Sequence, residues 1–462
     1  MTILEERKEG MQPEQDGAAG SGDGLLARIG RASARRPKRV MVLWLVLVVL
    51  SAPLALTLTS ALSGAGWEAQ GSIAQQVRDE LREDFPQIGA ESAVVAYRQD
   101  TPIAEDPEGL ATLVAGLQGS ESTTVVVDPL SQPPEAGLIS PDGTVAMVPV
   151  GLEAEVDADL PESAGDLMAT VEEIDLPEGA EADTTGEWAV WHDFNELNEK
   201  ALHKAELLSG IPTVILLFIA FGSAIAAGIP LILAIAGIAV GFAALNLGTD
   251  LTPLSVWSMN FSMMIGLAVG IDYSLFIVSR YREERMDGKG PLDAVAGTLA
   301  TAGKAVFLSA LTVVLSLSAI FIVPIMVFRS MALGMILSVI ATAAASLTLL
   351  PAVLVAMGDR VLTVRGKANP DRAAEGRWTR WTAAAMRRPG RTLAIGLGLL
   401  LALAAPALGM RLGMPAAGVV DEGEQSRDGY DVIVDAFGEG APAPMYATVP
   451  VEQAEAVLTT AS

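Results

Sequence analysis

The sequence predicts a multi-pass α-helical membrane protein with seven spans and one external α+β domain. Three observations predict it. The first is that apolar runs long enough to cross a bilayer recur along the 462 residues, giving a positive mean hydropathy beside a formal net charge of -25. The second is segregation: Leu62 to His203 holds 30 Asp or Glu against 4 Lys or Arg, while most long apolar runs lie outside it. The third is that 22 of the 30 Lys and Arg fall in Met1–Arg39, Arg280–Lys304 and Met357–Arg391. With seven spans those three segments share one side, and the bias of Lys and Arg toward cytoplasmic loops makes that side cytoplasmic.

The elements follow in order. Residues 1–39 read as a basic, disordered cytoplasmic N-terminus, with Met1 to Gly24 Gly-rich and Arg28 to Arg39 cationic. Residues 40–62 form the first span, too long for the apolar core of a signal peptide and without a clear cleavage site. Residues 63–203 form the acidic external domain. Within it, helical stripes at Val77, Leu81, Phe85 and at Leu110, Leu113, Val114, Leu117 alternate with strands at Ala93 to Tyr97, Thr123 to Val127 and Thr144 to Val150. Pro141-Asp142-Gly143 is a turn, and Glu162 to Glu173 a third helix. Residues 204–357 hold five spans: Leu207–Ala226, Gly228–Leu247, Val256–Val278, Ala305–Val323 and Ser330–Met357. A basic cytoplasmic linker, 358–391, leads to the seventh span at 392–410. Residues 411–462 then begin a second external domain. Tyr430, Ile433 and Phe437 make a helical stripe, Met445 to Val449 a strand, and Glu452 to Thr459 a further helix, so a span, a helix and a strand recur as they did after the first span.

The chain is organised around Val256 to Glu284, VWSMNFSMMIGLAVGIDYSLFIVSRYREE. One carboxylate, Asp272, sits inside this span and is followed by Tyr273. A charge at that depth costs roughly 2.5–3.5 kcal/mol on insertion scales, and such residues mark ion or substrate paths more often than lipid-facing positions. The bland alternative is a protonated Asp bonded to a neighbouring helix. Ser262, Gly266 and Gly270 repeat at four-residue spacing, an edge that admits another helix closely. The fifth span offers Ser309, Thr312 and Ser316 on one helical face at a depth similar to Asp272, which suits a proton relay. The matching stripe in the sixth span, Ser338, Thr342 and Ser346, reads instead as hydroxyls bonded to their own helix carbonyls.

Other chemistry is missing from the sequence. There is no cysteine for disulfides or thiol catalysis. Gly297 to Lys304 resembles a phosphate loop, but five residues separate its glycines and Ala305 follows the lysine where magnesium needs Ser or Thr. His192 and His203 are expected at the surface without ligand-spaced partners, and Trp188 and Trp191 near the membrane surface. No enzyme activity, metal, cofactor or nucleic-acid partner is expected.

The run Gly270-Ile271-Asp272-Tyr273-Ser274-Leu275-Phe276, closed by Arg280-Tyr281-Arg282-Glu283-Glu284, resembles the fourth membrane helix of the MMPL family, within the resistance–nodulation–division superfamily. Ala302 to Val313, AGKAVFLSALTV, resembles that family's fifth helix. The resemblance implies twelve membrane helices, two external porter domains, and export of lipidic or amphipathic molecules driven by proton entry across a bacterial inner membrane. The 63–203 domain would then be porter-like. It also implies a proton relay at Asp272 and Tyr273 with Ser309 in support. Phe276 would line the channel, with Gly266, Gly270 and Thr312 packing the helices. The proton gradient takes the place of a cofactor. The expected partners are membrane lipids, the transported molecule, and a second half or second copy. As written, the repeat stops at Ser462 before a tenth helix, so the chain alone is expected not to transport. The alternatives are a non-transporting scaffold or lipid sensor, and a proton-coupled accessory of protein secretion.

Overall fold

The computed structural model describes residues 24–62, 66–67, 71–84, 92–120, 122–152, 159–221, 223–252, 254–361, 377–410, 417–441 and 449. In chain order these form α1 (Leu25–Arg35), α2 (Pro37–Leu56), α3 (Leu58–Ala61), α4 (Ile73–Asp84), β1 (Ser92–Gln99), α5 (Glu108–Gln118), β2 (Thr123–Val126), β3 (Val145–Leu152), α6 (Leu160–Glu173) and β4 (Ala180–Thr185). There follow α7 (Glu187–Phe221), α8 (Ala224–Thr249), α9 (Trp257–Met286), α10 (Pro291–Thr298), α11 (Lys304–Ser318), α12 (Met326–Met357), α13 (Arg377–Arg387), α14 (Pro389–Ala404) and α15 (Gln425–Phe437). Among the described residues, seven helical stretches are long and apolar enough to cross a membrane: Pro37–Leu56, Glu187–Ile219, Ala226–Thr249, Trp257–Met286, Pro291–Ile322, Met326–Val361 and Pro389–Gly409. The expected strand at Met445 to Val449 and helix at Glu452 to Thr459 lie outside the described residues, Val449 excepted.

Two compact units divide the chain. The helical unit comprises residues 1–76, 156–159 and 209–363. Its centre is α12, which buries Ala332, Gly334, Ser338, Ala341, Thr342, Ala345 and Ser346 against α8, α9, α2 and α11. Lipid is as apolar as a leucine side chain, so no hydrophobic gain drives helices together in a membrane. Small residues do it by letting backbones approach. The residues expected to be disordered, Met1 to Gly24, lie outside the described residues apart from Gly24, and within the basic segment that follows α1 lies against α10 and α12, burying Ala27, Gly30, Ser33 and Ala34. A methyl at Gly30 would stand 2.5 Å from Leu299 Cδ1, so any larger residue there must move the Leu299 side chain. Trp44 donates from Nε1 to Thr348 Oγ1 at 3.0 Å, fixing α2 to α12.

The α+β unit comprises residues 77–155, 160–208 and 364–462. Its antiparallel sheet has the order β2-β3-β1-β4, with Val95 opposite Val148 and Ala96 opposite Asp183. Alternation along β1 separates two faces. Tyr97 points to α5, where its hydroxyl occupies the place a side chain at Gly109 would take. Val94 and Ala96 point the other way and pack with Ile433 of α15. Helix α15, from the expected start of the second external domain, thus covers this sheet.

Strand β4 was not legible. Its sequence AEADTT lacks an apolar alternation, and pairing with β1 makes it a strand. The second span also differs. Helix α7 begins at Glu187, twenty residues before the apolar run, because Gly186 (φ 114°) is the last breaker before it. Trp188 and Trp191 are buried in the α+β unit, with Trp191 edge-on to Phe194 at 5.6 Å, and do not form a membrane-surface belt.

Candidate functional site

Apolar composition makes α9 a helix, since in lipid its backbone groups must bond within the segment. Gly288 at φ 84° stands just past its end. Burial divides the helix into two faces. Ser262, Gly266, Gly270, Tyr273, Ser274, Ile277 and Tyr281 are buried, while Met264, Asp272 and Phe276 are exposed. The Asp-Tyr pair is therefore split. Tyr273 turns into the bundle and Asp272 out of it.

The buried face is close-packed on backbone. A methyl at Gly270 would meet Ala234 Cα at 2.9 Å and Thr342 Cγ2 at 3.0 Å, and one at Gly266 would meet Ile238 Cγ1 at 2.8 Å. Helix α8 repeats the device. The hydroxyl oxygens of Thr342 and Ser338 lie 2.5 Å and 2.7 Å from where methyls at Gly237 and Gly241 would stand. The sixth-span hydroxyls accordingly do not bond back to their own helix, contrary to expectation. Ser338, Thr342 and Ser346 are fully buried with no hydrogen-bond partner. A glycine hydrogen occupies the direction of the absent methyl, so Ser338 and Thr342 each face a Cα–H of α8, a weak contact of about 0.5–1 kcal/mol. Back-bonding occurs in both spans at other positions: Thr312 Oγ1 donates to the Leu308 carbonyl at 2.9 Å in the fifth, and Thr348 Oγ1 to the Ala344 carbonyl at 2.6 Å in the sixth.

The exposed face holds the titratable group. No hydrogen bond reaches the Asp272 carboxylate among the described residues, and none joins it to Ser309. Phe276 is 53% exposed beside it, and Ser309 and Thr312 are exposed on α11. The buried Tyr273 hydroxyl also lacks a partner. Gly266 and Gly270 are thus brought together with Ser338 and Thr342, whereas Asp272, Ser309 and Thr312 are placed on surfaces this chain leaves uncovered. A carboxylate on an uncovered face of a membrane helix can exchange a proton once water or a polar partner meets it.

Two other groups were tested by the geometry. His192, Asp193 and Glu196 bring ligand atoms within 4.8 Å of one another, so His192 does have ligand-spaced neighbours. Those atoms already serve structure. His192 Nδ1 is 2.9 Å from the Pro161 carbonyl, Asp193 accepts from the Ser426 amide at 3.0 Å, and Glu196 pairs with Lys200 at 3.0 Å. The stretch resembling a phosphate loop is helical throughout, passing from α10 through a π turn at Leu299–Gly303 into α11. In the sequence Arg282 is one of the basic residues that close the span. The structure gives it two carbonyls of other helices, which no local signal announces.

Among the described residues, seven helices are long and apolar enough to cross a membrane, and one of them carries an exposed carboxylate mid-way along it, which defines a multi-pass membrane protein. The family model for the MMPL family matches residues 66–392, and the chain belongs to that family, as the resemblance implied. Three relatives are similar over most of the chain. The putative membrane protein SCO6666 of Streptomyces coelicolor is 32% identical over 90% of this chain and 58% of its own length. The mycolic acid-containing lipids exporter MmpL11 of Mycolicibacterium smegmatis is 34% identical over 88% of this chain and 43% of its own. The heme uptake protein MmpL11 of Mycobacterium tuberculosis is 31% identical over 92% of this chain and 44% of its own. The chain spans about half the length of the curated relatives it matches.

Proposed function

We propose that the protein is a proton-driven transporter that exports lipids or other amphipathic molecules across a bacterial inner membrane, with its N-terminus in the cytoplasm. The observation that carries this reading is the position of Asp272. It lies mid-way along a 30-residue apolar helix, on the one face that the small-residue packing does not use. Each proton entering gains about 2.3 kcal/mol per 100 mV of membrane potential. A helix held by small residues can slide or rotate between two packings as Asp272 gains and loses its proton. Tyr273 and Ser309 serve as polar neighbours of the relay, and Phe276 and Thr312 line its path. Equivalent helices, from the other half of a chain as long as the relatives or from a second copy, would cover the Asp272 face. The name of the M. smegmatis relative supports a lipid cargo, and that of the M. tuberculosis relative supports uptake of an amphipathic ring system as the second reading.

The test is Asp272→Asn, which keeps size and hydrogen bonding but cannot ionise. Membrane insertion is expected to be normal and export of the labelled lipid to be lost. Wild-type export by that variant would sink the relay and favour a scaffold whose carboxylate is only structural.

A further inference from the structure

The turn Arg280–Arg285 at the basic end of α9 takes no part in the proton reading, yet it is heavily bonded. Glu284, 2% exposed, sits between Arg280, at 2.6 Å, and Lys289. Arg285 pairs with Asp359 at 2.7 Å. Arg282 differs from both, because its partners are backbone. Its Nε donates to the Val361 carbonyl at 2.8 Å and its Nη2 to the Phe221 carbonyl at 3.0 Å. Its guanidinium carbon also stands 5.3 Å from the centre of the Phe221 ring. Phe221 is the last residue of α7, and Val361 closes the turn Gly358–Val361 that follows α12. Carbonyls at helix ends lack intrahelical partners and carry the negative end of the helix dipole. One planar fork therefore satisfies the ends of two helices from a third. A lysine, a point charge, could not hold both in the same geometry.

We propose that Arg282 is a positioning residue that passes the state of α9 to α7. Arg282 lies ten residues beyond Asp272 on one continuous helix, about 15 Å along its axis. A helix that long moves as a rod, whereas hydrogen bonds of this kind tolerate a few tenths of an ångström. A shift of α9 of about 1 Å must then either pull Phe221 with it or break the fork. Helix α7 in turn runs from Glu187 to Phe221. Pro212 has no N–H to give the Leu208 carbonyl, so the helix can bend there. The device rests on Asp272 being the group whose protonation moves α9.

The test is a double-mutant cycle read on α7, with the protein expressed as its gene encodes it. Ser209 is exposed and the chain has no cysteine, so Ser209→Cys gives a single labelling site. Asp272→Asn, which imitates the protonated acid, is expected to change the maleimide labelling rate at that site by about threefold or more, and Arg282→Gln to abolish the change. Arg282→Lys, which keeps the charge and favours insertion, is expected to abolish it as well. A change that persists in both Arg282 variants, or no change with Arg282 intact, overturns the proposal. Export that ignores collapse of the proton gradient, with the cycle intact, would instead overturn the proton reading and leave Arg282 in its role.

Discussion

At the scale of single residues, glycine positions in α8 and α9 carry the packing, and their cost can be measured. Gly270 and Gly228 both lie in apolar membrane helices. A methyl at Gly270 would stand 2.7 Å from Ala234 Cβ and 2.9 Å from its Cα, while one at Gly228 would meet nothing within 4 Å. Overpacking a closed site typically costs about 1–3 kcal/mol. Gly270→Ala is therefore expected to lower the melting temperature in detergent, and Gly228→Ala to leave it unchanged or raise it. Equal melting of the two would mean that the α8–α9 contact gives way without cost. The same scale explains why Asp272 and Tyr273, adjacent in sequence, do different things. Consecutive helical residues are about 100° apart, so one side chain can face the bundle and the next face away.

At the scale of elements, α15 on the sheet makes the α+β unit sensitive to pH. Gly429 of α15 packs on the backbone of Asp183 in β4, Thr185 Oγ1 donates to the Ser426 carbonyl at 2.8 Å, and Asp193 accepts from the Ser426 amide. Burial first, then the charges of Asp428 and Glu181, push the Asp183 carboxyl up to about 6, while Arg98 opposes them. Ionised Asp183 therefore works against docking. The stability gained on protonation is fully present below the ordinary value of 3.8 and is lost as pH rises through about 6. Hydrogen exchange of the α15 amides, corrected for intrinsic rate, should show stronger protection at pH 5 than at pH 7. Asp183→Asn should flatten that difference and protect α15 at both values. Protection that weakens on acidification would contradict the sign.

At the scale of the whole molecule, the arrangement of charge predicts a topology that labelling can check. Asp142, Asp287 and Glu422 are exposed and lie in segments assigned to opposite sides. The glycines beside the last two, Gly288 (φ 84°) and Gly423 (φ 93°), would strain any replacement, so the acids are the better probes. In intact cells Asp142→Cys and Glu422→Cys should react with an impermeant thiol reagent, and Asp287→Cys should not. Labelling at residue 287 would overturn the seven-span orientation.

What the sequence determined by itself was whatever depends on local composition. The seven apolar stretches, the strands β1, β2 and β3, the turn at Gly143 and the Asp272 segment were all legible, because hydropathy and periodicity are properties of neighbouring residues. What only the tertiary structure decided were relations between segments distant in the chain. Strand β4 is polar and exists through β1. Helix α15 covers a sheet formed more than two hundred residues earlier, and Thr342 finds Gly237 in place of its own carbonyl. Helix α1 lies in the basic N-terminal segment, and its small buried residues are covered only when α10 and α12 arrive. Arg282 looked like an ordinary basic residue at a membrane boundary. Its partners are carbonyls, which every residue has, so no side-chain pattern could reveal them.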